Sequence, residues 1–172
     1  MIELVRLTEV PLEEVLALLN EPRNAPHMPL ASSFTAETAA AWVAAKDGQW
    51  VSNGHGPWAV LVDGEFAGWC GFQREPAGED FALVLAPPWW GHGSAVLQQA
   101  LGRGFGELGL GEVLIALPLS RRAERVLSRF GFLPDGEVSY GGAEFRQYRL
   151  TRERWSSSER GQGARVLDGG RA

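Results

Sequence analysis

The sequence has a single cysteine, Cys70, among 172 residues. That excludes an internal disulfide, and with no base near it in sequence Cys70 reads as a small buried hydrophobe rather than a nucleophile. Long apolar runs are missing too: none approaches the ~18 residues that span a bilayer. The first ten residues, MIELVRLTEV, lack the basic and apolar regions of a signal peptide, so a cytoplasmic protein without a membrane partner is expected. Positive charge is scarce: 16 Lys and Arg stand against 21 Asp and Glu, for a net charge of -5. A nucleic-acid footprint would show clustered basic residues, so nucleic acid is not an expected partner and a cationic small molecule or peptide is the natural one. His27, His55 and His92 have neither metal-ligand spacing nor an accompanying cysteine pair, which argues against a metal site. No G-x-G-x-x-G follows a first strand and no G-x-x-x-x-G-K-[ST] occurs, so dinucleotide binding and nucleotide hydrolysis lose their signatures. There is no repeat with a period of roughly 20 to 50 residues.

What is present suits one globular domain. A hydrophobic content of 45% with 22% charged residues lies far from the disordered regime. The domain is expected over residues 1–155; beyond Trp155, the Gly-, Ser- and Arg-rich stretch 156–172 reads as a flexible tail. Alternation from Ile2 to Leu7 predicts a short strand fit for a sheet edge. Leu12, Val15, Leu16 and Leu19, behind Pro11 and with Glu13 and Glu14 in the first turn, predict a helix from Pro11 to Asn20. Pro22, Pro26 and Pro29 oppose regular structure over 21–34. Thr35 and Glu37 then start a second helix reaching about Lys46, followed by a glycine-containing loop from Asp47 to Pro57. WAVLV, Asp63-Gly64 and EFAGWCGF form a hairpin signature. A strand from Asp80 to Leu85 ends at Pro87 and Pro88, and WWGHGSA leads into a helix bearing Val96, Leu97, Ala100, Leu101, Phe105 and Leu108 on one side. Gly102, Gly104 and Gly106 weaken that helix and point to close approach to the sheet. A strand from Glu112 to Leu117, a helix from Arg121 to Phe130 stopping at Gly131, and a hairpin of Leu133 to Tyr140 with Glu144 to Leu150 complete the order.

The chemistry centres on Trp90-Gly91-His92-Gly93-Ser94-Ala95, between a buried strand and a helix. Glycines there let the backbone approach a ligand, and first-turn N–H groups aided by the helix dipole form a nest for a phosphate-type anion; a tight turn entering a helix is the plainer alternative.

At this stretch the sequence resembles the GNAT superfamily of acetyltransferases, whose pyrophosphate loop has the form [Q/R]-x-x-G-x-[G/A]. Trp90 stands at the first position, Gly93 at the fourth and Ala95 at the sixth. The preceding APPW resembles the branch that acetylates N-terminal amines of ribosomal proteins. That branch also carries N-x-x-S-x-x-V-x-x-x-x-G-F, on whose frame Ser120, Ala123, Val126, Gly131 and Phe132 fall; the Asn and Ser positions depart from it. The closing YRLTRERW is similar to the branch as well.

The resemblance implies an α+β, three-layer fold: a mostly antiparallel sheet of about seven strands, splayed at the cofactor cleft, with about four helices. It implies acetyl-coenzyme A as co-substrate, with pantetheine pairing with backbone near Val84 and Leu85 and pyrophosphate on the amides of Gly91 to Ala95. An amide near Leu83 or Leu85 would polarise the thioester carbonyl. His92 would sit in the phosphate loop. Asp80 aligns with the acidic residue that begins this strand in the branch and becomes the candidate base, with Glu75 and Glu79 as alternatives and a solvated carboxylate as the bland reading. A Tyr usually stands four residues before Gly-Phe as general acid; Leu127 is there instead, so Ser120 or Ser128 is the substitute proton donor. Ser120 is also a candidate coenzyme contact or helix N-cap.

Trp42, Trp50, Trp58 and Trp69 suit either an acceptor pocket or the core, with Trp69 the first choice for an acceptor wall. The expected activity is transfer of an acetyl group to a primary amine of a small molecule or peptide. A non-catalytic acyl-coenzyme A-binding module on the same fold is the second reading, and an interaction domain without coenzyme the third. A homodimer through the last strands is compatible with either of the first two.

Overall fold

The computed structural model describes residues 1–27 and 33–158. Its seven strands form one sheet in the order β1-β2-β3-β4-β5-β7-β6, with β1 (Ile2–Arg6) at one edge and β6 (Leu133–Tyr140) at the other. All pairings are antiparallel except that of β4 (Gly78–Leu85) with β5 (Glu112–Pro118). The α+β architecture is as expected, and β1 lies at an edge as its shortness implied.

Helices cover both faces. On one, α3 (Gly93–Phe105) and α4 (Glu124–Phe130) enclose Phe72, Phe81, Val96, Leu97, Leu101, Val113 and Leu150. On the other, α1 (Leu12–Leu19) and α2 (Ala36–Asn53) cover Leu7, Ala59 and Trp69. Gly104 is the glycine that lets α3 settle on the sheet: an added Cβ would meet Phe72 Cζ at 2.6 Å, whereas Gly102 faces open space. β2 (Pro57–Val62) and β3 (Glu65–Glu75) make the expected hairpin, with Asp63 and Gly64 at φ 51° and 85° in its two-residue turn.

Three boundaries differ from the sequence reading; β4 begins at Gly78, so Asp80 is its third residue rather than its first. Helix α2 continues through Gly48 to Asn53, leaving only 54–56 as loop. A mid-helix glycine costs about 1 kcal/mol, but Asp47 takes both arms of Arg6 at 2.8 Å and Trp50 packs edge-on to Trp58 at 5.2 Å, so tertiary contacts hold the added turns. Helix α4 starts at Glu124, not Arg121, with Ala123 at its N-cap. Beyond β7 (Ala143–Thr151) residues 152–158 are helical and form α5, whose Trp155 stacks on Phe105 and Phe130. The rest of the expected tail lies outside the described residues.

Candidate active site

The parallel pair β4 and β5 is bridged at one register position, Asp80 opposite Leu114, and parts beyond it. Antiparallel ladders alternate hydrogen-bonded and open pairs, which fixes what faces the gap. Ala86 N donates to Ala67 O at 2.8 Å, so Trp69–Val84 and Gly71–Ala82 are bonded pairs. Val84 therefore spends its peptide groups on β3, while Leu83 and Leu85 turn theirs towards the gap. On the far side Arg152 N donates to Gly111 O at 2.9 Å, which by the same alternation turns Leu114 and Ala116 to the gap.

The mouth of the gap is fastened. Leu85 O accepts from Trp90 Nε1 at 2.9 Å and from buried Asn24 Nδ2 at 3.2 Å. Trp90 thus folds back onto the end of β4, although 48% of its surface remains exposed. Asn24 belongs to a 3-10 turn, Pro22–His27, and Pro26 O of the same turn accepts from Ser120 Oγ at 3.1 Å. Ser120 is exposed and is not the N-cap of α4, because that helix begins too late.

A second 3-10 turn, Pro87–His92, runs into α3. Gly93, Ser94 and Ala95 form the first turn of α3, which continues directly from that 3-10 turn; its dipole favours an anion, and no acidic residue stands there. A Cβ built on Gly91 meets nothing within 4 Å, and one on Gly93 meets only Leu83 Cδ2 at 3.8 Å, so the loop is open above and rests on β4. The His92 ring stands edge-on to Trp89 at 5.5 Å and lines a groove with Asp63, Ala95 and Gln98.

Below the gap a polar cluster occupies the face covered by α2. Trp69, Gln73 and Glu75 share that face of β3, and Asp80 stands opposite Gln73. The Ala116 main-chain N–H, turned into the gap, favours the charged form of the Asp80 carboxylate where the strands part. Burial pushes Asp80 up to about 7, Glu75 adds to the rise, and the Ala116 amide and Lys46 oppose it. Lys46 comes from α2: its Nζ donates to Gln73 Oε1 and lies 5.6 Å from the centre of Trp42 and 5.3 Å from that of Trp69. Burial lowers the Lys46 pKa, against Glu75 and Asp80, which raise it. Trp42 and Trp69 meet edge-on at 5.3 Å. Tyr140, at the tip of the β6–β7 hairpin, has its pKa raised by burial and then by Asp80 and Glu75.

Of the four tryptophans weighed for an acceptor pocket, the structure brings Trp42 and Trp69 to this cluster. Trp50 and Trp58 pack with Phe72 in the core instead. Glu79 is engaged elsewhere: His55 Nε2 lies 2.8 Å from it, and Arg74 Nε donates to it at 3.1 Å. Leu127 is 4% exposed, inside the α3-side core, and Ser128 Oγ donates to Arg125 O on its own helix. Cys70 is fully buried, and burial raises its thiol pKa. Among the described residues no three His, Cys, Asp or Glu groups gather as a metal site, and no helix is long and apolar enough to cross a membrane.

The sequence reading missed Lys46, Gln73, Tyr140 and Asn24. For Lys46 a signal existed: Trp42, Lys46 and Trp50 recur every fourth residue, one stripe of a helix longer than the one expected.

Comparison with known proteins points in one direction. The sequence profile described as Acetyltransferase (GNAT) domain matches residues 2–133. The fold superposes on a putative GNAT-family acetyltransferase from Bordetella pertussis with a TM-score of 0.72 at 20% identity, over 86% of this chain and 94% of that one. It superposes on spermidine N-acetyltransferase from Vibrio cholerae, solved with CoA and spermine, with a TM-score of 0.72 at 11% identity, over 91% and 97% of the two chains. A GNAT-family acetyltransferase from Bacillus anthracis gives a TM-score of 0.69 at 18% identity, over 88% and 94%. No curated protein matches.

Proposed function

We propose, from the premise that this chain belongs to the GNAT acetyltransferase family, that it transfers the acetyl group of acetyl-coenzyme A to a primary amine of a small molecule or peptide, with Asp80 as the base. The observation that carries the reading is a half-buried carboxyl at the point where β4 and β5 part, its pKa pushed up to about 7 by desolvation. A general base works best with a pKa near the operating pH, and an ammonium must lose its proton before it can attack.

Bound acetyl-coenzyme A supplies the activated acyl group. The first-turn amides of Gly93, Ser94 and Ala95 suit its diphosphate, with Gly91 leaving room for close approach. The gap-side amides of Leu83 and Leu85 suit the pantetheine arm and the thioester carbonyl, where a fixed donor stabilises developing negative charge. Leu85 O, held by Trp90 and Asn24, keeps the end of β4 in place. Asp80 takes the ammonium's first proton, directly or through water; a C–N bond forms as the C–S bond breaks, sulfur leaves as thiolate, and the second proton shed by nitrogen balances the thiol. With a thiol pKa near that of cysteine, about 8.5, the thiolate is a tolerable leaving group without a tyrosine at 127. Ser120, exposed beside the gap, is the proposed coenzyme contact and proton donor. Trp69 and Trp42 wall the acceptor side, where Glu75 favours a cation.

Leu127 and Ala123 in place of polar family residues favour the second reading, a coenzyme-binding module without turnover. Thiol release from acetyl-coenzyme A across a panel of amines separates the two: turnover of any amine supports the enzyme, while a coenzyme-dependent thermal shift with no turnover supports the module. The proposal includes a cytoplasmic location, for which the buried free thiol of Cys70 speaks, and a dimer through edge strand β6, which size-exclusion chromatography tests.

A further inference from the structure

In the polar cluster below the gap, among the described residues, one donor has no acceptor and a cation beside it has only a neutral one. The indole N–H of Trp69 is buried without a partner among the described residues, in a side chain only 6% exposed. A buried unpaired donor is costly, and native structures leave few of them. Lys46 lies over the same ring, 5.3 Å from its centre, half-buried between Trp42 and Trp69. Its ammonium has three donors and is bonded to the neutral amide of Gln73; among the described residues no carboxylate comes within 4.0 Å of it. Arg103, Arg152 and Arg154, which also lack one among the described residues, donate instead to main-chain carbonyls.

We infer that Lys46 and the Trp69 indole N–H form a carboxylate subsite in the acceptor pocket, so that the preferred acceptor is an amine carrying a carboxylate, such as an α-amino acid. Lys46 feels Glu75 and Asp80 through space, and the acceptor's two charges would take their places in the same cluster. Asp80 and Glu75 receive the ammonium end, and Lys46 with Trp69 receives the anionic end, so the acceptor's two charges find opposite partners. A polyamine would place its second cation against Lys46, where like charges within one desolvated pocket repel. This rests on the acetyltransferase reading for its substrate but not for its anion site, which binding measurements address separately.

The test pairs α-amino acids with their carboxamides, adds spermidine, and follows thiol release from acetyl-coenzyme A. The wild type is expected to favour the acid over its amide by about tenfold in kcat/KM, mainly through KM, the scale of one partly solvated charge pair. Lys46→Met abolishes the preference and Lys46→Arg retains it, with thermal melts confirming that both variants fold. Equal use of acid and amide by the wild type, or a preference for spermidine that survives Lys46→Met, overturns the inference. If no amine turns over, the activity fails but the subsite does not: titration calorimetry of the coenzyme A-loaded protein with the same acids must then show binding that Lys46→Met weakens about tenfold, and its absence overturns the subsite.

Discussion

Replacing Asp80 with Asn should move activity and stability in opposite directions. The ordinary carboxyl value is 3.8 and burial raises Asp80 to about 7, so between those values the folded protein holds a proton that the unfolded chain has released. Stability therefore falls as pH climbs through that window and stays low above it. The shift of about three units, at ~1.36 kcal/mol each, sets an upper limit of about 4 kcal/mol on the cost of ionising Asp80 in place. Asn keeps the shape and can still turn an oxygen to the Ala116 N–H but carries no charge. At about pH 8 Asp80→Asn should thus melt roughly 5 °C higher than the wild type, with a smaller gain at about pH 5. The same variant should lose about 100-fold or more in kcat, measured as thiol release with saturating amine, since the proposed base is gone. Wild-type kcat/KM should rise with an apparent pKa near 7, a limb absent from the variant. Activity retained within about threefold refutes the base assignment; an equal gain in melting temperature at both pH values refutes the buried-charge argument.

Three further outcomes follow from the same contacts. Glu75→Gln should move the acidic limb of the pH–rate profile down, because Glu75 raises Asp80, and Lys46→Met should move it up, because Lys46 lowers it; shifts in one direction for both would contradict the electrostatics. Gly104→Ala should cost about 1–3 kcal/mol in chemical denaturation, from the 2.6 Å approach to Phe72, with the KM for acetyl-coenzyme A unchanged. Leu127→Tyr should destabilise by a similar ~1–3 kcal/mol by overfilling the α3-side core, without raising kcat; a faster enzyme would show that a phenol at 127 reaches the cleft.

Local chemistry written into the chain made most of the fold legible. The Asp63-Gly64 hairpin, the proline stop after Leu85 and Gly131 at the end of α4 each act over a few residues, and each lies where the sequence placed it. Helix α2 was misjudged because Gly48 is a local signal, overruled by partners distant in sequence, Arg6 and Trp58. The site divides the same way. The glycine loop and Asp80 are expectations from a motif frame, and the structure places both along β4 and its exit, with Asp80 third in the strand. Lys46 and Gln73 are 27 positions apart and meet because α2 lies across β3, which no short-range pattern encodes. The four tryptophans were indistinguishable by composition, and strand parity is what sent Trp69 and Trp58 to opposite faces.

The short turn Pro22–His27 is pinned to one bank of the sheet through Asn24 and to the other through Pro26. A bridge anchored on both sides cannot lift at one end without loading the other. In the proposed reaction this turn would border both the donor's strand and the far bank at once, so donor and amine would share one site; initial-rate plots taken at several donor concentrations should then intersect rather than run parallel.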